Sequence, residues 1–215
     1  MIQRKFVINL ERCGERMNNY DDSHTRWLAT DYKDLMGEIS RPLIEKMISY
    51  HSIRHTPQHF AKCGCWKSHT LLWRYIVTNK LNGTLILEDD AKLVGDLPEE
   101  LPQDGITYLG GFFHNKKMTD NNKFVHTSVN GINELNKDKM RILSTMSYYI
   151  PTWEIAKKML EDVDKPRIRA IDVMMYGIDV PTYYQFPASY IENAECESTI
   201  RKVKNKHPNR LYQMK

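Results

Sequence analysis

Apolar residues along the chain fall into short runs that alternate with stretches in which they recur at helical spacing. Three runs, Phe6–Leu10, Thr84–Leu87 and Ile106–Leu109, have the length and the β-branched content of buried strands. A fourth run, Ser147–Pro151, is also strand-like. Strands that alternate with amphipathic helices predict an α/β layer structure, and 215 residues suffice for a single domain with its own core.

The stretches between these runs carry apolar residues on one helical face. The predicted helices extend toward Trp27-Leu28, over Pro42–Tyr50, over Cys65–Asn79 and from Thr152 to Leu160. Asn82-Gly83 should end the third helix with a positive φ, and Thr152 is a favourable N-cap for the fourth. Ile171–Tyr176 and Tyr183–Phe186 are predicted to form short elements farther along the chain.

One long polar stretch interrupts this alternation. Residues 114–139 are rich in Asn and Lys and contain few apolar positions. We predict a loop excursion or a small hairpin there, and irregular insertions of this length often bind ligands.

Composition narrows the class of protein. Apolar residues make up 41% and charged residues 27%, as in a soluble globular domain, and no apolar run approaches the eighteen or so residues of a membrane span. The net charge of +4 does not indicate a nucleic-acid partner, and basic residues cluster only in the tail Arg201–His207. Cys63-Gly64-Cys65 lacks a second cysteine pair for a zinc site, so we expect reduced thiols in the cytoplasm.

The candidate chemistry lies in Glu88-Asp89-Asp90, which directly follows the strand at Thr84–Leu87. Three adjacent carboxylates repel one another unless a cation offsets their charge. Mg²⁺ and Mn²⁺ favour carboxylate oxygens and can also bind a diphosphate. Alternate residues of an extended chain point to opposite sides, so one carboxylate can hold metal while its neighbour binds a ribose hydroxyl. A solvated acidic turn or a helix N-cap is the alternative explanation.

Three motifs occur in a characteristic order: Val7-Ile8-Asn9-Leu10-Glu11-Arg12 with Glu15-Arg16, then Gly64-Cys65-Trp66-Lys67-Ser68-His69, then Leu85-Ile86-Leu87-Glu88-Asp89-Asp90. Together they resemble glycosyltransferase family 25, which includes lipooligosaccharide glycosyltransferases. The chain is also similar to the N-terminal glycosyltransferase domains of large multi-domain proteins of chlorella viruses. After Asp90 the resemblance weakens, and the later acidic motif falls at Ile171-Asp172.

The resemblance implies a single GT-A domain, with a Rossmann-like nucleotide-binding sheet flanked by helices and a mixed sheet toward the acceptor side. About 1–110 would form the nucleotide-sugar half and about 111–215 the acceptor half of a domain cut from a longer chain. It further implies Mn²⁺ or Mg²⁺, a UDP-sugar donor and a glycan acceptor. For a viral protein, a hexose or deoxyhexose, possibly L-rhamnose, would pass to a capsid glycan in the host cytoplasm. We expect a monomer or weak oligomer.

With this resemblance, we assign Asp90 as the main metal ligand, Glu88 as a second ligand and Asp89 to the ribose. Asn9, Leu10 and Arg16 would line the nucleotide pocket. Ser68 and His69, near the expected helix start at Gly64-Cys65, would either contact the donor or support the acidic strand. Arg201 and Lys202 would close over the diphosphate.

The candidate general base is Asp172, because an inverting transfer needs a carboxylate to accept the acceptor's hydroxyl proton. A helix N-cap or a further metal ligand is the alternative role for Asp172, and Asp179 and Glu192 are reserve candidates for the base. The late aromatic residues could stack on a sugar, although core packing explains most of them equally well: Tyr176, Tyr183, Tyr184, Phe186 and Tyr190.

Other functions fit the residues less well. A metal-dependent phosphatase or phosphotransferase of the haloacid dehalogenase type would need a nucleophilic aspartate where this chain has Glu88. A metal-dependent nuclease would need a basic groove. A non-catalytic carbohydrate-binding module would not need an acidic metal motif beside a nucleotide pocket.

Overall fold

The computed structural model describes residues 1–31, 33, 57–115, 130–138, 140–163 and 170–193. Its strands are β1 Arg4–Asn9, β2 His24–Leu28, β3 Thr84–Glu88, β4 Ala91–Leu93, β5 Ile106–Tyr108, β6 Phe112–Asn115, β7 Gly131–Glu134, β8 Met140–Leu143, β9 Ser147–Ile150, β10 Thr182–Phe186 and β11 Tyr190–Glu192. Its helices are a 3₁₀ helix at Glu11–Asn19, α1 Pro57–Thr78, α2 Trp153–Val163 and α3 Ile171–Tyr176. The predicted α/β architecture is confirmed.

Seven strands form one mixed sheet in the order β2-β1-β3-β9-β5-β10-β7. Strand β1 lies parallel to both β2 and β3, whereas β9 runs antiparallel between β3 and β5. Strand β10 is parallel to β5, and β7 pairs antiparallel with β10 at the edge. Two small antiparallel pairs, β4 with β11 and β6 with β8, complete the described strands. From β1 the chain first adds β2 on one side and then β3 on the other, so the strand order reverses between β1 and β3, where open α/β sheets form their ligand crevices.

Both faces of the sheet are buried, so its central strands are apolar at successive positions. Ile86 and Tyr148 contribute to a core with the helices, which includes Trp73 of α1. Leu85 and Tyr149, their chain neighbours, contribute to a second core on the opposite face. Burial on both sides explains why Thr84–Leu87 reads as a continuous apolar run and not as an alternating one.

Gly83 confirms the predicted turn before β3. Its φ is +63°, and a Cβ atom there would lie 2.6 Å from the carbonyl oxygen of Met1. Both the backbone conformation and the contact therefore require glycine. The N-cap prediction also agrees with the structure, because Thr152 Oγ1 accepts a hydrogen bond of 3.5 Å from the Ile155 N–H before α2.

Two helix predictions are wrong. Trp27 and Leu28 belong to β2, where they pair with Ile8 and Asn9 of β1. The ring of Trp27 packs edge-on against Phe6, so tertiary pairing overrides the local pattern. Helix α1 also begins at Pro57, well before the expected start at Gly64-Cys65.

Other predictions fall partly or wholly outside the described residues. The helix over Pro42–Tyr50 lies outside them. Of the polar stretch 114–139, the described parts include the end of β6 and all of β7. These strands do not form a hairpin with each other, since β6 pairs with β8 and β7 joins the main sheet. Among the described helices, none has both the length and the apolar character to cross a membrane.

Candidate active site

The acidic residues emerge where β3 ends and the chain turns into β4. Glu88 is the last residue of β3, and Asp89 and Asp90 form the turn. The Tyr20 hydroxyl lies 2.9 Å from the carbonyl oxygen of Glu88 and 2.8 Å from that of Ala91. One tyrosine thus contacts the backbone on both sides of the turn, which holds the three carboxylates in a defined arrangement.

Asp89 is held between two side chains from the first part of the chain. Its Oδ2 accepts a hydrogen bond of 2.8 Å from Asn9 Nδ2, and its Oδ1 forms a 2.8 Å ion pair with Arg16. Burial raises the pKa of Asp89, and the Arg16 charge and the hydrogen bonds from Arg16 and Asn9 offset part of that rise. The structure therefore brings Asn9, Arg16 and Asp89 together, with Arg16 neutralising a carboxylate.

Asp90 lies among other acids. Burial first, then the charges of Glu88, Asp89 and Glu192, raise its pKa well above the ordinary value. Its Oδ1 is buried and has no hydrogen-bond partner within the described part of the chain. The backbone N–H of Asn193 donates to the Asp90 carbonyl at 2.7 Å, and Glu192 pairs with Ala91 across the β4–β11 ladder. A cation would relieve both the repulsion and the unpaired oxygen.

Glu88 has a different environment from Asp90. Its Oε1 lies 3.4 Å from His69 Nε2 and accepts a short hydrogen bond from the Thr145 hydroxyl. Burial alone would raise the pKa of Glu88, but the interactions with His69 and Thr145 outweigh it and hold the pKa below its ordinary value. Glu88 is therefore stabilised as a carboxylate, whereas the charge of Asp90 is disfavoured without a cation.

His69 and Ser68 lie about three turns inside α1, so their predicted position at a helix N-terminus is wrong. The His69 ring is 1% exposed, and its Nδ1 lies 2.8 Å from the Tyr148 hydroxyl. Ser68 donates to the Gly64 carbonyl at 2.7 Å and accepts from the Thr30 N–H at 2.8 Å. His69 thus contacts the acidic strand and Ser68 contacts the chain after β2, and because both also line the cleft described below, the role of each toward a donor stays a prediction.

An open cleft borders the acidic turn. Its empty volume is about 570 Å³, which includes the solvent at its mouth. The cleft is lined by residues from β1 to Asp31, from α1 and from the end of β3: Ile8, Leu10, Arg12, Ala29, Thr30, Asp31, Ala61, Cys65, Ser68, His69, Glu88 and Asp89. Arg12 and Asp31 form an ion pair in this lining. Glu88 and Asp89 thus join this cleft to the acidic turn, whereas Asp90 is not among its lining residues.

A comparison of the sequence with models of protein families identifies the family of this chain. The sequence model of glycosyltransferase family 25, described as an LPS biosynthesis protein family, matches residues 2–175. This chain belongs to glycosyltransferase family 25. A search of curated proteins finds no match. As a family 25 glycosyltransferase the chain acts with a sugar donor and an acceptor, and its mixed seven-stranded sheet flanked by helices confirms the predicted glycosyltransferase fold.

The candidate base of this glycosyltransferase lies near the acidic residues. Asp172 is in the first turn of α3, where its Oδ1 accepts from the Val173 N–H at 2.8 Å and its Oδ2 from the Ser144 N–H at 3.3 Å. Ser144 immediately precedes Thr145, the residue bonded to Glu88. The β8–β9 turn therefore connects Asp172 with the acidic motif.

The remaining predicted residues are distributed differently. Glu192 approaches Asp90, whereas Asp179 is exposed and its N–H donates to Asp162. Tyr184 and Tyr190 are buried, and Phe186 packs against the core, as the packing explanation requires. The Tyr176 hydroxyl donates to the Lys137 carbonyl, and Tyr183 donates to Asp104. Arg201 and Lys202 lie outside the described residues.

Several residues of the site are not predicted from the sequence. Thr145, Tyr148 and Tyr20 all contact the acidic turn or His69. The apolar pattern predicts Tyr148 only as part of a strand, and no local pattern marks Thr145 or Tyr20. Their roles depend on strand β9 lying beside β3 and on the 3₁₀ helix following β1.

Proposed function

We propose that this chain is a metal-dependent glycosyltransferase that transfers a sugar from a UDP-sugar to a glycan acceptor. One observation carries the proposal: Asp90 has a buried, unpartnered carboxylate oxygen among the carboxylates of Glu88, Asp89 and Glu192. Such a group is costly unless a cation completes it. Its neighbours Glu88 and Asp89 line the cleft of this family 25 domain, which supports a metal that also contacts a nucleotide diphosphate.

The residues fit Mn²⁺ or Mg²⁺. Asp90 would be the main ligand and Glu88 a second, because both supply the hard oxygen atoms that these ions prefer. When bound, the ion would neutralise the charge that develops on the departing UDP. Asp89 is less suited to the metal, since Asn9 and Arg16 already engage both of its oxygens. Its contact with the ribose stays a prediction.

The chain's own residues would shape donor binding. Leu10 and Thr30 line the cleft on the side of β1 and β2, where backbone groups can meet a base edge. Arg16 binds Asp89 and is not among the residues that line the cleft. We therefore propose that it acts on the nucleotide only through the acidic turn. Arg12 supplies a cation of the cleft lining, where it pairs with Asp31.

For the transfer step, we propose inversion with Asp172 as the base. The acceptor hydroxyl would attack the sugar's anomeric carbon, break its bond to the UDP oxygen and pass its proton to an Asp172 carboxylate oxygen. The N–H groups of Ser144 and Val173 donate to the two carboxylate oxygens of Asp172 and so fix its orientation. Retention of anomeric configuration would remove the need for this base. Transfer of a hexose or deoxyhexose such as L-rhamnose to a viral capsid glycan stays a prediction from the resemblance.

Calorimetry with UDP in the presence and absence of Mn²⁺ tests the proposal. We expect metal to strengthen UDP binding in the unmodified protein and to have no effect in Asp90→Ala. Equal binding with and without metal, or an unchanged response in Asp90→Ala, would contradict it. A screen of UDP-sugars that follows the product anomer by NMR then identifies the donor and the stereochemistry, and UDP-sugar hydrolysis without acceptor distinguishes an enzyme from a carbohydrate-binding module.

A further inference from the structure

A chain of four polar side chains runs from the interior to the acidic turn. Trp73 Nε1 lies 2.8 Å from the Tyr148 hydroxyl oxygen, which lies 2.8 Å from His69 Nδ1. His69 Nε2 then lies 3.4 Å from Glu88 Oε1. The side chains of Trp73 and Tyr148 are fully buried, and His69 is nearly so. Water therefore has little access to the donors and acceptors between Trp73 and His69, whereas Glu88 is partly exposed.

Donor and acceptor chemistry assigns the hydrogen atoms along it. The indole N–H of Trp73 can only donate, so the Tyr148 oxygen accepts. The buried Tyr148 hydroxyl then needs an acceptor for its own hydrogen, and His69 Nδ1 is the one that the described residues offer. A neutral imidazole that accepts at Nδ1 carries its proton at Nε2. That N–H faces the Glu88 carboxylate.

We propose that Tyr148, itself oriented by Trp73, is a positioning residue for the metal site. By selecting the Nε2–H tautomer of His69, it makes the imidazole a donor to Glu88 Oε1 and so fixes the orientation of the carboxylate that would bind metal. Thr145 donates to the same oxygen from the other side of β3. The inference rests on the proposed metal-dependent function, and residues one contact removed from ligands commonly control metal affinity in this way.

The same assignment bears on a second possible metal site. Ligand atoms of Cys65, His69 and Glu88 lie within 4.8 Å of one another, a set that suits zinc. With its proton on Nε2, His69 would have to lose that proton and its hydrogen bond to Glu88 before Nε2 could bind zinc. The hydrogen-bond chain thus opposes zinc binding through that nitrogen.

The tautomer can be measured directly in the unmodified protein. Long-range ¹H–¹⁵N spectra distinguish a protonated from an unprotonated imidazole nitrogen, and His69→Gln identifies the His69 signals by their loss. We expect a protonated Nε2 and an unprotonated Nδ1. A proton on Nδ1 instead would overturn the proposal, with no need for any variant of Tyr148 to fold.

Metal titration tests the consequence for the site. We expect Tyr148→Phe to weaken Mn²⁺-dependent UDP binding about tenfold, the lower end of the usual effect of such residues, and to leave metal-free UDP binding unchanged. Tyr149→Phe is the matched control, because Tyr149 is also fully buried in β9 but belongs to the core on the other face. An equal effect of the two variants would contradict positioning by Tyr148.

Variants of His69 provide a rescue experiment. Gln can place an N–H near the position of Nε2, whereas Ala cannot, so His69→Gln should retain more metal response than His69→Ala. Equal loss in both would count against donation to Glu88. If the unmodified protein shows no metal-enhanced UDP binding, the proposed function fails, while the tautomer measurement still decides whether Tyr148 controls His69.

Discussion

Replacing Arg16 with methionine tests how the acidic turn tolerates a mostly buried carboxylate at Asp89. The side chains of Arg16 and Asp89 are 13% and 12% exposed, and their ion pair measures 2.8 Å. Methionine keeps much of the length and apolar contact of arginine and removes the charge. Asn9 would still donate to Asp89 Oδ2, so the change isolates the cation more than the geometry of the turn.

The expected loss follows from the charges and their burial. Two unit charges about 4 Å apart attract by about 4 kcal/mol at an effective dielectric constant of about 20. Removing Arg16 also removes the cost of desolvating its guanidinium, and the pair retains some contact with solvent. We therefore expect Arg16→Met to lower the free energy of unfolding by about 2–3 kcal/mol, less than the upper range for a fully buried pair.

Urea unfolding of the protein, Arg16→Met, Asp89→Asn and the double variant measures this effect. The double-mutant cycle should give a coupling energy of about 2 kcal/mol, because the double variant leaves neither charge unpaired. A coupling energy below about 0.5 kcal/mol would mean that Arg16 acts as an ordinary surface charge. Neutralisation by Arg16 would then not be what stabilises the Asp89 carboxylate in the acidic turn.

The same variant has a defined pH dependence. The pKa of Asp89 is raised in the folded protein, so ionised Asp89 destabilises the fold above that pKa, and the penalty is relieved as pH falls through it toward the unfolded value. Without the Arg16 charge the pKa rises further. The stability difference between Arg16→Met and the unmodified protein should therefore shrink as the pH falls through the raised pKa of Asp89 in the variant.

Three further predictions concern the site and its support. Without metal at neutral pH, Asp90→Asn should unfold at the same or a higher temperature than the unmodified protein, because the raised pKa of Asp90 means that its charge destabilises the fold. A clear loss of stability in this variant would contradict the prediction. Asp172→Asn should lower kcat at least about a hundredfold with little change in donor KM, and near-normal kcat would exclude it as the base. Gly110→Ala should lower the free energy of unfolding by about 1–3 kcal/mol in denaturant unfolding, because the added Cβ would lie 2.6 Å from the Tyr190 carbonyl oxygen. Gly95→Ala is the control and should have a small effect, because its Cβ would lie 3.7 Å from the nearest atom, the Ala188 carbonyl oxygen.

The sequence by itself determined the elements whose signal is local. The apolar run at Thr84–Leu87 predicts a buried strand because few other conformations bury so many successive side chains, and Gly83 predicts the turn before it. The acids that follow such a strand must emerge at its carboxyl end. The candidate metal motif could thus be located without knowledge of any neighbouring strand.

Only the tertiary structure decided which partners each acid has. Arg16 reaches Asp89 because the 3₁₀ helix follows β1, which lies parallel to β3. Glu192 approaches Asp90 because β11 pairs with β4. His69 contacts Glu88 from within α1, which begins at Pro57 and not at the Gly64-Cys65 motif. These contacts join residues far apart in the chain, so no periodicity records them. Their geometry separates the environments of three adjacent carboxylates that look equivalent in sequence: Asp89 paired with Arg16, Glu88 stabilised as an anion, and Asp90 surrounded by acids with one oxygen unpaired among the described residues.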